Sequence, residues 1–253
     1  MVLRVAAGRN PRVLSDTVLP LAVNPAAAQF GTLFETLAAT GGRAREIRIT
    51  IADPLVRYFV IEAPSGLRSR AELQAAIAAR FEEQFGLAPA DWEISANLAP
   101  GHDSYLACAI PRNLLEPLHA GCASARLRLR SLVPYAVSEM NRWRRRLPRR
   151  EFWFAAAGSG SVTLGYLAGN GWRGVRTHVA AGKTEAQLPS LIERDGLRLG
   201  IAHQAPLHCS GLVSQPVERA ESNTLTRCGA GLWPGQNETW SREHRLALSG
   251  IWP

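Results

Sequence analysis

Residues 46–62, EIRITIADPLVRYFVIE, constrain the fold more than any other stretch of the chain. Ile47, Ile49 and Ile51 alternate with Arg48 and Thr50, the period-two pattern of a strand with one buried face. Asp53-Pro54 must break that strand, because Pro54 has no N–H and an aspartate side chain bonds readily to turn backbone. Residues 56–61 then form an almost wholly apolar run in which Arg57 is the polar position, which reads as a central strand covered on both faces. The expectation is an antiparallel pair at the centre of a mixed sheet, with the remaining elements layered against it.

The flanking sequence supplies those layers. Residues 3–21 read as two short strands around Gly8-Arg9-Asn10-Pro11. Asn24-Pro25 opens a helix carrying Phe30, Leu33, Phe34, Leu37 and Ala38, and Gly41-Gly42 ends it. Ser69 with Glu72 forms a capping box ahead of the stripe Leu73, Ala76, Ile77, Phe81 and Phe85, which Gly86 closes. Strands follow at 92–98 and 105–110, separated by Pro100-Gly101-His102-Asp103. Leu114, Leu115, Leu118 and Cys122 mark a short helix that Pro117 disturbs. A strand carries Leu127, Leu129, Ser131 and Val133, and Pro134 opens a helix carrying Val137, Met140, Asn141 and Leu147, with Val137, Met140 and Leu147 as its apolar stripe.

The composition changes after Arg150, which places a domain boundary there and divides the chain into 1–150 and 151–253. Residues 151–157, 161–167 and 172–179 read as a three-stranded meander with turns at Gly158-Ser159-Gly160 and Ala168-Gly169-Asn170-Gly171. A helix over 185–195 is stopped by Gly196. Beyond Leu199 the pattern fades, leaving strand-like pieces at Leu212-Val213 and 246–248.

With 253 residues and 46% hydrophobic side chains, the chain can bury a substantial core. The net charge of +8 comes almost entirely from arginine, Lys183 being the only lysine. A bias that runs through the whole chain is a weak pointer to nucleic acid. The N-terminal residues contain no apolar core of signal-peptide length, and no run of about 18 apolar residues occurs, so a soluble cytoplasmic protein without a transmembrane segment is expected. Cys108, Cys122, Cys209 and Cys228 have no CxxC spacing and read as reduced thiols, two of them in the core.

Several motifs invite a chemical reading. Gly182-Lys183-Thr184 resembles the tail of a phosphate loop, but Thr177 stands where the leading glycine belongs. Gly158 and Gly160 could cradle an anion, yet they join two strands, which favours a hairpin turn. His203, His208, Cys209 and Cys228 lack the paired spacing of a zinc site, and no serine has a motif-placed His–Asp partner, so neither a metal nor a catalytic residue is assigned. Arg142-Trp143-Arg144-Arg145-Arg146 opens the densest basic run. A helix C-terminus attracts cations, but this number exceeds what one helix end needs, and Trp143 adds a stacking surface. The run reads as a partner-binding face for an acidic protein segment or anionic lipid ahead of nucleic acid.

The order of elements in residues 45–195 resembles the actin-like cytoplasmic proteins of type IV pilus and type II secretion platforms, the PilM-like and GspL-like group. Its carriers are ITIADPLVRYFVIEAP, ARFEEQFG, DWEIS, YLACAIPRNLLEPL, LRLRSLVPYAVSEMNRWR and FWFAAAGSGSVTLGYLAGNGWRGVRTHV. The resemblance implies an α/β, actin-like (ribonuclease-H-like) fold, a mixed sheet flanked by helices, with a truncated second subdomain short by about 100 residues. It also implies a cleft where two Asp-x-Gly hairpins orient Mg²⁺ and phosphate. Here no acid precedes Ser15-Asp16 in the first hairpin, and Ala156 stands where the second needs Asp. Gly229 and Gly231 are similar to the adenosine-binding glycine loop of that group. The expectation is a non-enzymatic scaffold without cofactor, at most peripheral to the inner membrane, that docks an inner-membrane assembly protein or its cytoplasmic tail and is free to self-associate. The alternatives are an actin-like ATPase and a basic nucleic-acid-binding protein.

Overall fold

A computed structural model of the chain describes residues 2–6, 12–17, 27–40, 46–62, 69–97, 102–147, 150–158, 160–179, 184–201, 205–211 and 225–227. Strands β1 (Val2–Ala6) and β2 (Arg12–Thr17) form the expected antiparallel pair, and helix α1 (Ala27–Thr40) follows. Then come β3 (Glu46–Ile51), a 3₁₀ turn (Asp53–Leu55) and β4 (Arg57–Glu62). Helix α2 (Arg70–Phe85) leads through a second 3₁₀ turn (Pro89–Asp91) into β5 (Trp92–Ala96), β6 (Ser104–Pro111), α3 (Arg112–Ser124), β7 (Arg128–Pro134) and α4 (Tyr135–Trp143). The rest is β8 (Phe152–Gly158), β9 (Ser161–Ala168), β10 (Gly171–Val179), α5 (Thr184–Arg198), β11 (Leu207–Gly211) and β12 (Leu225–Arg227).

Strands β3 and β4 do not pair, contrary to the sequence expectation. β3 runs parallel to β7, whereas β4 is the outer strand of an antiparallel β4-β6-β5 sheet whose centre is β6. The 3₁₀ turn between them explains the change of sheet, because it buries Asp53 at 2% exposure and so turns the chain inward. Coverage of β4 on both faces does hold: Tyr58 packs into one side-chain cluster, Phe59 and Ile61 into another.

Helix α2 follows from local rules. Ser69 Oγ accepts a hydrogen bond from the Glu72 N–H at 3.1 Å, Gly86 closes the helix at φ 64°, and Ile77 and Phe81 are buried against β4 and β6. The meander β8-β9-β10 also forms as expected, and β11 adds parallel to β8, giving the order β10-β9-β8-β11-β12. Strand β11 was not expected, although Leu207 is fully buried at the heart of that sheet. The pieces at Leu212-Val213 and 246–248, and the helix stop at Gly41-Gly42, lie outside the described residues.

Two helices run longer than their breakers suggest. α3 spans 13 residues with Pro117 inside it, because Leu115, Leu118 and Cys122 bury one face and outweigh one missing N–H donor. α5 runs through Gly196, and the left-handed residue after it is Gly200 at φ 66°. A cluster built on Ile51, Tyr58, Tyr135, Trp143, Phe152 and Phe154 contains side chains from both sides of residue 150.

Candidate functional site

The junction of these sheets is organised by one carboxylate. Pro54 sits in the first turn of the 3₁₀ segment and fixes the backbone that carries Asp53 inward. Tyr58 donates its hydroxyl to Asp53 Oδ1 at 2.6 Å, and the Ala136 N–H donates to the same oxygen at 3.0 Å. Thr163 Oγ1 donates to Oδ2 at 2.9 Å. That donation uses the only proton of Thr163, so the 3.0 Å contact with Thr177 Oγ1 has Thr177 as donor. Ala136 is the second residue of α4, whose N-cap Pro134 makes no side-chain cap bond, so Asp53 supplies the cap and meets the positive end of the helix dipole.

The electrostatics follow from burial. Desolvation raises the Asp53 carboxyl above the usual carboxylate range, against the pull of its three donors. Burial, reinforced by Asp53, holds the Tyr58 phenol well above its usual range and pushes the Cys108 thiol up to about 11. Burial, with Glu139 next, does the same to Tyr135. Cys108, Cys122 and Cys209 are free thiols, the latter two buried.

A second buried carboxylate holds α4 at its middle. Glu139 is 2% exposed and accepts from Ser210 Oγ on β11 and from Trp143 Nε1 at 3.4 Å. Trp143 Nε1 also donates to Ser210 Oγ at 2.8 Å. The basic run is thereby divided. Trp143 is buried, and the Arg142 and Arg146 guanidinium groups lie 5.1 and 5.4 Å from its ring centre. Arg142 is 3.7 Å from Glu139 Oε1, while Arg144, Arg145 and Arg146 are exposed. The free stacking surface expected of Trp143 is absent because its ring completes the core that Tyr135, Ala136 and Glu139 begin. Val137, Met140 and Leu147, expected inward, are only partly buried beside that core.

In the β8-β9 turn a side chain on Gly160 would meet nothing within 4 Å, and Ser159 lies outside the described residues. Gly160 takes φ 74° in the β8-β9 hairpin, and a side chain on Gly158 would meet the Tyr135 ring at 3.5 Å. Tyr135 also donates its hydroxyl to the Ala157 carbonyl at 3.3 Å. Ala156 and Ala157 are fully enclosed. Gly229, Gly231, Gly182, Lys183, His203 and Cys228 lie outside the described residues. His208, on β11, meets the Phe152 ring edge-on at 5.4 Å, and burial lowers its pKa. No group of three or more metal-ligating side chains occurs among the described residues. Elsewhere, His178 Nε2 lies 2.7 Å from Asp195 Oδ2 and its Nδ1 lies 2.8 Å from an Arg194 nitrogen. A guanidinium can only donate, so Nε2 carries the proton shared with Asp195.

No family model and no curated protein matches the chain. Solved structures do. The cytoplasmic domain of EpsL, an inner-membrane component of the type II secretion system of Vibrio cholerae, superposes with a TM-score of 0.60 at 12% identity, covering 97% of this chain and 86% of that one. The PilM-PilN type IV pilus biogenesis complex gives a TM-score of 0.58 at 17% identity, over 82% and 77% of the two chains. A Bacteroides thetaiotaomicron protein with an actin-like ATPase fold and unknown function gives 0.53 at 10% identity, over 81% and 74%.

The chain has the actin-like ATPase fold. That fold implies a nucleotide with Mg²⁺ between its halves, and the residues at this junction do not fit one. Tyr135 is in van der Waals contact with the Gly158 position at the inner end of the β8-β9 hairpin, and the described residues of that hairpin offer no carboxylate. The carboxylates nearby, Asp53 and Glu139, are committed to internal donors. A cavity of about 10 Å³ remains beside them, lined by Tyr58, Leu106, Ala136, Phe154, Thr163 and Trp172, with room for about one water molecule. Sequence reading missed Asp53, Tyr135, Glu139, Thr163 and Ser210 as a set. The available signal was the helical spacing of Tyr135, Glu139 and Trp143, which puts the three on one face. No helix among the described residues is long and apolar enough to cross a membrane.

Proposed function

We propose that this protein is a non-enzymatic scaffold of an inner-membrane assembly platform of the type II secretion or type IV pilus kind, docking an inner-membrane protein or its cytoplasmic tail. Residues 1–150 serve as the first actin-like subdomain and 151–253 as a truncated second one. The observation that supports the reading is the junction itself: Tyr135 packs beside Gly158 and Asp53 accepts from three internal donors, so this carboxylate is engaged within the chain and not turned toward a nucleotide. Two of the similar solved structures point to the setting, one an inner-membrane component of a secretion system and the other a pilus biogenesis complex. The exposed side chains of Arg144, Arg145 and Arg146 give an acidic tail a charged landing surface at the end of α4. The ATPase reading lacks a Mg²⁺ ligand among the described residues of the β8-β9 hairpin. The nucleic-acid reading loses its stacking platform, because Trp143 is buried.

Thermal unfolding with and without ATP and Mg²⁺ tests the proposal. A specific ligand at a hundred times its Kd stabilises by about 2.7 kcal/mol, well within detection. No change in Tm is expected, and a rise that EDTA abolishes returns the ATPase reading. In parallel, Arg144→Glu with Arg145→Glu is expected to abolish binding of an acidic cytoplasmic-tail peptide. Binding of generic duplex DNA at about 0.15 M salt, with a log–log salt slope near −0.9 per contact and loss in the same variant, would overturn the scaffold reading.

A further inference from the structure

We infer that Asp53 is the pin of an internal latch that holds the two halves of the molecule closed in place of a bound nucleotide. Each donor on Asp53 comes from a different part of the fold. Tyr58 belongs to β4, Ala136 to the first turn of α4, and Thr163 to β9, 110 residues away in sequence. Thr177 on β10 backs Thr163 from behind, so two adjacent strands of the five-stranded sheet are tied to the same carboxylate.

An ionised carboxylate fills that role at a desolvation cost that its three donors partly offset. Its two oxygens accept from three protein donors, all of them buried, and a net negative charge is offset by the helix N-terminus it caps. A nucleotide phosphate in a two-lobed fold would act in the same manner, as an anion drawing donors from both lobes toward one point. Here the anion is covalently part of the chain, so closure requires no ligand and is permanent. Tyr135 adds a second tie from α4 to β8 through the Ala157 carbonyl, and Gly211 permits it, since a side chain there would strike both that carbonyl and the Tyr135 hydroxyl. Lobes locked in this way present one fixed surface, whereas lobes that open and close around a ligand present two.

Hydrogen exchange on the full chain tests the latch, read by mass spectrometry for wild type, Thr163→Val and Thr163→Ser. Thr163→Val keeps the shape of the side chain, removes one of the three donors, and leaves Tyr58 and the Ala136 N–H in place. Its expected signature is exchange faster by about tenfold or more in peptides covering 134–141 and 161–168, with peptides from α2 unchanged, because only the latch opens. Thr163→Ser, which restores the hydroxyl, is expected to exchange like wild type. Equal acceleration across the chain would reduce Thr163 to an ordinary core residue, and no acceleration would remove it from closure altogether; either result overturns the latch. ATP with Mg²⁺ slowing exchange of the same peptides in Thr163→Val would also overturn it, by showing that a ligand, and not Asp53, is the natural closing anion. Should Thr163→Val fail to fold, Thr177→Val removes the donor behind Thr163 and is judged on the same peptides by the same outcomes.

Discussion

Replacing Phe81 with alanine tests how the first half is held together. The ring has no exposed surface, and it packs against Phe85 at 5.2 Å, Trp92 at 5.4 Å and Phe59 at 5.8 Å between centroids, all in tilted geometry. Truncating a buried phenylalanine costs about 3–5 kcal/mol, with the spread set by how far the site collapses. Collapse is hindered here, because the surrounding rings are stiff and are anchored on three separate elements, α2, β4 and β5. Tilted aromatic pairs add about 0.5–1.5 kcal/mol each beyond area burial, which moves the expectation to the upper half, about 4–5 kcal/mol. Urea denaturation followed by far-UV circular dichroism measures it. With a slope of about 2–3 kcal/mol per molar for a chain of this size, the midpoint should fall by about 1.3–2.5 M. Leu73→Ala, on the same helix but only partly buried, should cost about 1–2 kcal/mol and serves as the control. A loss below about 1 kcal/mol for Phe81→Ala would refute the packing of α2 on β4-β6-β5.

Three further perturbations probe the junction and the five-stranded sheet. The Asp53 carboxyl is raised by burial, so the native state binds its proton more tightly than the unfolded chain does. That stability contribution is complete below the unfolded value near 3.8 and is lost as pH rises through the folded value. Stability measured against pH from about 4 upward should therefore fall more in wild type than in Asp53→Asn, whatever constant offset the lost hydrogen bonds introduce, and parallel curves would refute the assignment. His208 has the opposite sense: burial lowers its pKa, so its contribution is full above the unfolded value near 6.5 and is lost as pH falls through the folded one. Gly211→Ala should be severe, since φ is 102° and a Cβ would strike the Ala157 carbonyl oxygen and lie 2.6 Å from the Tyr135 hydroxyl. Backbone strain of about 1–3 kcal/mol and overpacking of a similar size make a loss above about 2 kcal/mol the expectation by chemical denaturation.

How much of this could be read from the sequence depended on the range of the interactions involved. Helix α2 was legible from its cap, its stripe and its closing glycine, because all three are set within about twenty residues. The meander was legible because its turns carry glycine where the backbone goes left-handed, at Gly160 and Gly169. Pairing of β3 was not legible, since its partner β7 lies some eighty residues on and strand alternation carries no address. Strand β11 was missed because a short strand buried on both faces, LHCSG, has no alternation to detect. In α4 the pattern misled: Glu139 lies midway along the buried face, so a polarity reading turned the helix toward Val137 and Met140.

The same helix shows why the buried polar set was harder to see than the fold. Asp53 reads locally as a strand breaker, and that reading is correct, but its partners Ala136 and Thr163 lie 83 and 110 residues away. A buried carboxylate is costly unless its hydrogen-bonding capacity is filled, so Asp53 and Glu139 can stand inside this molecule only with donors delivered by other elements. Asp53 holds the first turn of α4, and Glu139 at its middle with Trp143 at its end meets Ser210, which fixes the helix between β9 and β11. The exposed arginines begin immediately after that second anchor, at Arg144. The interior polar chemistry therefore sets where the exterior charge sits: a change at Thr163 or Ser210 is expected to shift Arg144, Arg145 and Arg146 without altering any arginine.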